Sequence, residues 1–224
     1  MVTFIIICIL IGTVGNSFRR NIRNYNNALA FSSLGVQIDQ SVAGQSGIYT
    51  FRIQGELVHR IGSLLPQFGE LPRFAQIHIH DSTAITQAEI RIGHQHGLLN
   101  ETVLLQLTSM LDEINPYFHN FRTARERLRE CNHISLHLKT VDVEHSDQRR
   151  YNQPTANEVA IIIPGTGEEP VDRRDIVLQS RSGPLKRISE LHSAYLPLRY
   201  PLLHPHGEQG WSPNLHVASD ESTM

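Results

Sequence analysis

Six apolar residues between positions 104 and 121 constrain the fold of this 224-residue chain more than any other feature. Leu104, Leu107, Leu111, Ile114, Phe118 and Phe121 recur at alternating spacings of three and four. That period places them on one continuous apolar helical face. Asn115-Pro116 interrupts the run as an N-cap followed by proline at the first helical position, so two helices joined by a kink are expected. A face of this size must be covered. The flanking sequence offers strands to cover it: Ala28 to Ile38, Tyr49 to Ile61 after a Gly44–Gly47 turn, and Phe74 to His80 with its apolar–polar alternation. Further on, Asn132 to Val143, Val159 to Ile163 and Asp175 to Gln179 read as strands. Pro154 to Glu158 reads as a helix start or turn, and Gly165 to Arg174 as a polar loop. The expected architecture is α+β, a mixed or antiparallel sheet packed against a kinked helical pair at about residues 100–130.

Composition narrows the function classes. Hydrophobic content of 40% with 19% charged residues belongs to a folded domain, not to a disordered tail. A net charge of −2 gives no global field toward nucleic acid, so any such contact must come from a local patch. The cations are 18 Arg and only two Lys, a bias suited to bidentate phosphate contacts but also compatible with ordinary surface usage. Cys8 and Cys131 form neither a disulfide framework nor a thiolate zinc pattern.

The first residues read in two ways. Phe4 to Leu10 is an unbroken apolar run, with Thr13-Val14-Gly15 as a small-residue cleavage site, like the core of a signal peptide and too short to span a bilayer. No cation precedes it, and Arg19 and Arg20 lie on the wrong side, so a segment foreign to the following domain is favoured. Residues 1–16 are therefore set apart from a domain at 17–200 and a tail at 201–224.

From Leu185 to Trp211 the chain reads LKRISELHSAYLPLRYPLLHPHGEQGW. Pro197, Pro201 and Pro205 forbid a continuous helix, and the run reads locally as a helix turn, an extended segment and a glycine turn. It resembles the segment ahead of the catalytic core in Helitron transposases, the rolling-circle Rep/helicase proteins, whose usual wording is close to LQRISELHPSYLPLQYPLLFPYGEDGW. Other blocks are similar to that family in the same order. They are Asn21 to Asp39, Tyr49 to Gly55, His59 to Pro66, Phe74 to Gln76, Met110 to Pro116, Phe121 to Arg127, Tyr151 to Ala160 and Arg174 to Val177. The resemblance covers roughly residues 18–211.

The resemblance implies a nuclear protein whose parent nicks and rejoins DNA and unwinds it with ATP and a divalent Mg or Mn ion. It also implies that this chain ends ahead of the HUH nuclease and carries neither catalytic residues nor a cofactor. Its partners would be single-stranded or transposon-end DNA and the rest of the Rep/helicase polypeptide. No membrane span is expected.

Candidate sites divide accordingly. His78-Ile79-His80 has the His-hydrophobic-His spelling of the family's metal site, yet it follows Phe74-Ala-Gln76, where relatives carry aromatics. It is rejected as a metal motif. His204 and His206 likewise stand where the family has aromatics, and His94-Gln95-His96 reads as a loop pair. His133 and His137 share a strand face without an acidic partner, while Tyr195 and Tyr200 flank Pro197 and cannot form a tyrosine pair on one helix face. Pro164-Gly-Thr-Gly167 is followed by two glutamates, not by the Gly-Lys-Ser/Thr of a phosphate loop.

The stronger functional feature is basic. Arg122, Arg125 and Arg129 fall on one helical face, with a second basic region at Arg174, Arg181, Lys186 and Arg187. Against DNA contact stands a solvated helix face, since Glu126 and Glu130 alternate with the arginines. Two other classes of function stay open: a secreted or host-recruited binding module with residues 1–15 as its signal, and an inert pseudogene product.

Overall fold

A computed structural model of the chain describes residues 12–38, 53–80, 83–131, 133–139, 160–164, 176–180 and 185–210. The fold is α+β. Among the described residues six helices run in chain order: α1 (Gly12–Leu29), α2 (Ala75–Ile79), α3 (Ala84–His94), α4 (Glu101–Ile114), α5 (Pro116–Glu130) and α6 (Tyr195–Arg199). The strands are β1 (Ser33–Ile38), β2 (Ile53–Ile61), β3 (Ile134–Leu138), β4 (Ala160–Pro164), β5 (Ile176–Gln179) and β6 (Lys186–Ile188). They form two antiparallel three-stranded sheets, ordered β1-β2-β6 and β4-β3-β5.

The kinked pair forms as its spacing dictates. Asn115 is fully buried, and its Oδ1 accepts from the Tyr117 and Phe118 amides at 3.0 and 3.4 Å, capping α5 ahead of Pro116. Asn100 caps α4 through the Val103 amide at 3.1 Å, while its own amide donates to the Tyr25 hydroxyl at 2.9 Å. That second bond ties α1 to the start of α4. Helix α5 lies at the centre, packed against α2, α4 and strands β3 and β4. Phe31, fully buried just past α1, meets Phe118 edge-on at 5.1 Å and Phe121 in a stack at 4.9 Å.

Three local expectations are corrected. Phe74 to His80 holds helix α2, not a strand. Its buried set of Ala75, Ile77, His78 and Ile79 does not alternate, and a short apolar run cannot be assigned by period alone. Ala28 to Ile38 is a strand only from Ser33 onward, because α1 continues to Leu29. The helix turn expected at Leu185 is strand β6, and part of the following extended segment is helix α6. Pro197 fits inside α6 because it lies in the first turn, where its missing N–H leaves no bond unmade.

Helices α1 and α3 are additional to the expected elements. The supposed cleavage triplet Thr13–Gly15 lies in the first turn of α1. The Gly44–Gly47 turn, the Pro154–Glu158 segment and the Gly165–Arg174 loop lie outside the described residues. Among the described residues no helix is long and apolar enough to cross a membrane.

The two ends of the described chain are clasped together. The Phe31 and Ser32 amides both donate to the Leu198 carbonyl, at 2.8 and 3.2 Å. Arg199, also buried, donates to the Ser32 carbonyl at 3.1 Å and to Asn27 Oδ1 at 2.6 Å. Asn26 completes the clasp, giving a hydrogen bond to the Arg199 carbonyl and taking one from the Leu202 amide. Residues 201–210 therefore stay on the core.

Candidate nucleic-acid interface

Helix α5 turns Tyr117, Phe118, Phe121 and Ala124 into the core, and that rotation fixes where its arginines go. Arg122 and Arg125 flank the buried stripe and line an open cleft between α3, α4 and α5, of about 340 Å³. His78, Gln87, Thr108 and Asp112 line it as well. Arg122 is ion-paired with Asp112 from α4 and also contacts His119 Nδ1 at 2.8 Å. Arg125 Nε is sealed from solvent and has no hydrogen-bond partner. One turn further on, Arg129 is exposed, beside the exposed Arg127–Glu130 pair at 3.1 Å. The expected stripe is thus present along α5, but its first two members face a cleft while the third faces solvent.

The second basic region is only partly described. Arg174 and Arg181 lie outside the described residues. Lys186 and Arg187 are exposed on β6, in the other sheet from the one α5 covers, and Arg187 approaches Glu190 at 3.5 Å.

Beneath the cleft sits a buried cation that spacing did not single out. Arg91, 1% exposed on α3, donates from Nε to the Ala28 carbonyl at 2.9 Å and from Nη2 to the His78 ring at 3.2 Å. Burial pushes its guanidinium down to about 9, which leaves it charged at neutral pH. Burial first, and the neighbouring Arg91 charge second, hold His78 well below the ordinary histidine range. His78 is therefore a neutral ring, stacked on Phe31 at 4.6 Å and edge-on to Phe118 at 4.6 Å. The sequence signal for this pair was faint: Gln87, Ala88 and Arg91 are one buried helical face, and arginine on such a face resembles any surface cation.

His78 occupies α2, not a strand, and His80 is the residue that ends that helix. The two therefore do not share the strand face on which the His-hydrophobic-His spelling depends. No group of three or more His, Cys, Asp or Glu side chains suited to a metal ion occurs among the described residues. His137 is buried in β3 with its Nε2 3.1 Å from Ser135 Oγ, and His133 is exposed ahead of that strand.

Tyr195 and Tyr200, read as too far apart for one helix face, instead meet on His59 of β2. Tyr195 stacks on the imidazole at 4.0 Å, and Tyr200 meets it edge-on at 5.8 Å. His59 Nδ1 lies 3.1 Å from the Tyr195 carbonyl oxygen. This arrangement joins β2 to α6 and leaves His59 buried. Burial lowers its affinity for a proton, the backbone bond to Tyr195 works the other way, and Arg199 adds a smaller lowering.

Comparison of the chain with protein-family models, with characterised proteins and with solved structures finds no match.

Proposed function

We propose that this chain is a non-catalytic, Helitron-like segment that contacts DNA through the basic face of α5 and works in the nucleus alongside the rest of a Rep/helicase polypeptide. The observation that supports it best is the run of Arg122, Arg125 and Arg129 along one capped helix, the first two lining a cleft and the third exposed. Guanidinium groups spaced along a helix track phosphates without reading bases, so affinity falls with salt and sequence matters little. The sparse exposed aromatics give little support for base stacking. In this reading ATP, the divalent ion, the nicking histidines and the tyrosine nucleophiles belong to the remainder of the parent polypeptide. Arg174, Arg181, Lys186 and Arg187 supply a second, auxiliary contact region.

Fluorescence anisotropy with labelled single-stranded and duplex DNA over a salt series tests the reading. Weak binding that declines steeply with salt is expected, and Arg129→Ala should reduce the salt slope by about one. No binding at low salt, or binding indifferent to salt, would overturn DNA contact. Nicking or ATP hydrolysis by the pure chain would overturn the non-catalytic assignment.

A further inference from the structure

Among the described lining residues, the cleft between α3, α4 and α5 carries more arginine than carboxylate charge. Arg122 and Arg125 line it, and Arg91 lies behind its His78 wall. Asp112 is the one carboxylate among the described lining residues, and it is engaged with Arg122. Arg91 has carbonyl and imidazole partners but no carboxylate among the described residues. Arg125 Nε is the informative atom. No acceptor meets it among the described residues, so Arg125 lines the cleft with part of its donor capacity unused.

We propose that this cleft is an oxyanion site in which Arg122 and Arg125 together hold one phosphate group. Arginine's planar fork suits paired phosphate oxygens, and such charge-assisted bonds are roughly twice as strong as neutral ones. Thr108, Ser109 and Gln87 line it as well, and the Gln87 amide is already engaged with the His80 carbonyl and Arg91. Thr108 Oγ1 already donates to the Leu104 carbonyl at 2.8 Å, which leaves its lone pairs, not its proton, facing outward. The arginines therefore dominate recognition. A volume of about 340 Å³ is at the small end of ligand pockets and admits a phosphate with part of the molecule that bears it. The phosphate can come from a nucleic-acid backbone or from a free or small-molecule phosphate. The proposal sharpens the DNA-contact reading because the two share Arg122 and Arg125, but it does not require a polymer.

Asp112 makes the site testable in both directions. It competes with the anion for Arg122, and its side chain is 41% exposed, so losing the ion pair has little effect on stability. Asp112→Asn should tighten binding of inorganic phosphate several-fold. Arg125→Gln should weaken it about tenfold or more. Ala84→Glu places a carboxylate at the exposed cleft edge, in the first turn of α3 where a negative charge suits the helix dipole, so the protein stays folded while the anion is repelled.

Isothermal titration of the full chain with inorganic phosphate, against chloride at matched ionic strength, should show saturable one-to-one binding with this variant pattern. Circular dichroism checks that each variant is folded. Displacement of phosphate by a ten-residue oligothymidylate would identify the nucleic-acid backbone as the source. Persistence of phosphate binding with that oligonucleotide in excess would identify a free or small-molecule phosphate. Absence of saturable phosphate binding, or binding that neither Arg125→Gln nor Ala84→Glu alters, would overturn the site. DNA binding without phosphate binding sinks the cleft alone, and phosphate binding without DNA binding sinks the DNA reading alone.

Discussion

Arg91 holds a full charge in the core beside an imidazole that must stay neutral, and this couples stability to pH. The unfolded His78 takes a proton near its ordinary value of 6.5, while the folded ring resists protonation to well below it. Between those limits the unfolded chain binds more protons, so His78 favours folding in full above about pH 6.5 and progressively less as pH falls below it. His59, lowered in the same direction, adds to the effect. Urea unfolding should show stability falling below pH 6.5 by up to about 1.4 kcal/mol per pH unit from His78, with a smaller share from His59. His78→Gln removes the ring and should flatten that slope by one histidine's share. Arg91→Met removes the neighbouring charge, so the His78 proton resonance followed by NMR should titrate at higher pH than in the parent protein. An unchanged His78 titration would mean that the Arg91 charge does not contribute to it. Neither histidine's role was legible from its neighbours in sequence, because both depend on residues brought in from other elements, namely Arg91 and Tyr195.

At the element scale, helix α5 is anchored at its start by contacts from the C-terminal part of the described chain. Asn115 caps its own helix and donates from Nδ2 to the His204 carbonyl at 3.3 Å. Gly207 follows with φ of 70°, and a Cβ there would stand 2.8 Å from Pro116 Cγ. Asn115→Ala should cost about 2 kcal/mol through loss of the cap and of the cross-chain bond. Gly207→Ala combines left-handed backbone with a clash against a rigid ring, so a loss of about 1–3 kcal/mol is expected. Chemical denaturation of both variants checks these values, and a neutral Gly207→Ala would show that the turn is free to move off Pro116. The α4–α5 break was readable because cap, proline and apolar spacing all agree at one point. Helix α1 was not, because its buried stripe is only Phe18, Tyr25, Ala28 and Leu29 amid arginine and asparagine, with an apolar run drawing attention just ahead of it. Helix α2 failed for the opposite reason, being buried on nearly every side while its sequence alternates like a strand. The arginine spacing on α5 was legible as well, whereas the cleft it faces needs Asp112, Gln87 and His78 from three other helices.

Across the whole molecule, the Asn26–Ser32 stretch and the Ala194–Leu202 stretch are held to one another through main-chain and side-chain bonds. These stretches are distant in sequence and meet only in the folded chain. The packing at this junction is dry: Ala194 and Leu198 are fully buried, as are Leu29, Ala30 and Phe31. Closure of this kind is long-range, with contacts such as Asn27 to Arg199 separated by 172 residues, and it forms only once much of the chain is ordered. Ending the chain at Ser193 removes the acceptor for two buried amides and uncovers the aromatic cluster around Phe31. The shortened protein should keep most of its far-ultraviolet circular dichroism, lose its near-ultraviolet signal and bind a hydrophobic dye, the behaviour of a compact state without fixed packing. Arg199→Leu is the milder test of the same junction. It preserves bulk but deletes the bonds to Ser32 and Asn27, and should lower stability by about 2–4 kcal/mol without changing secondary structure. If the Ser193 truncation instead unfolds as sharply, and at the same temperature, as the full chain, the C-terminal block is an accessory to the core and not its closing element.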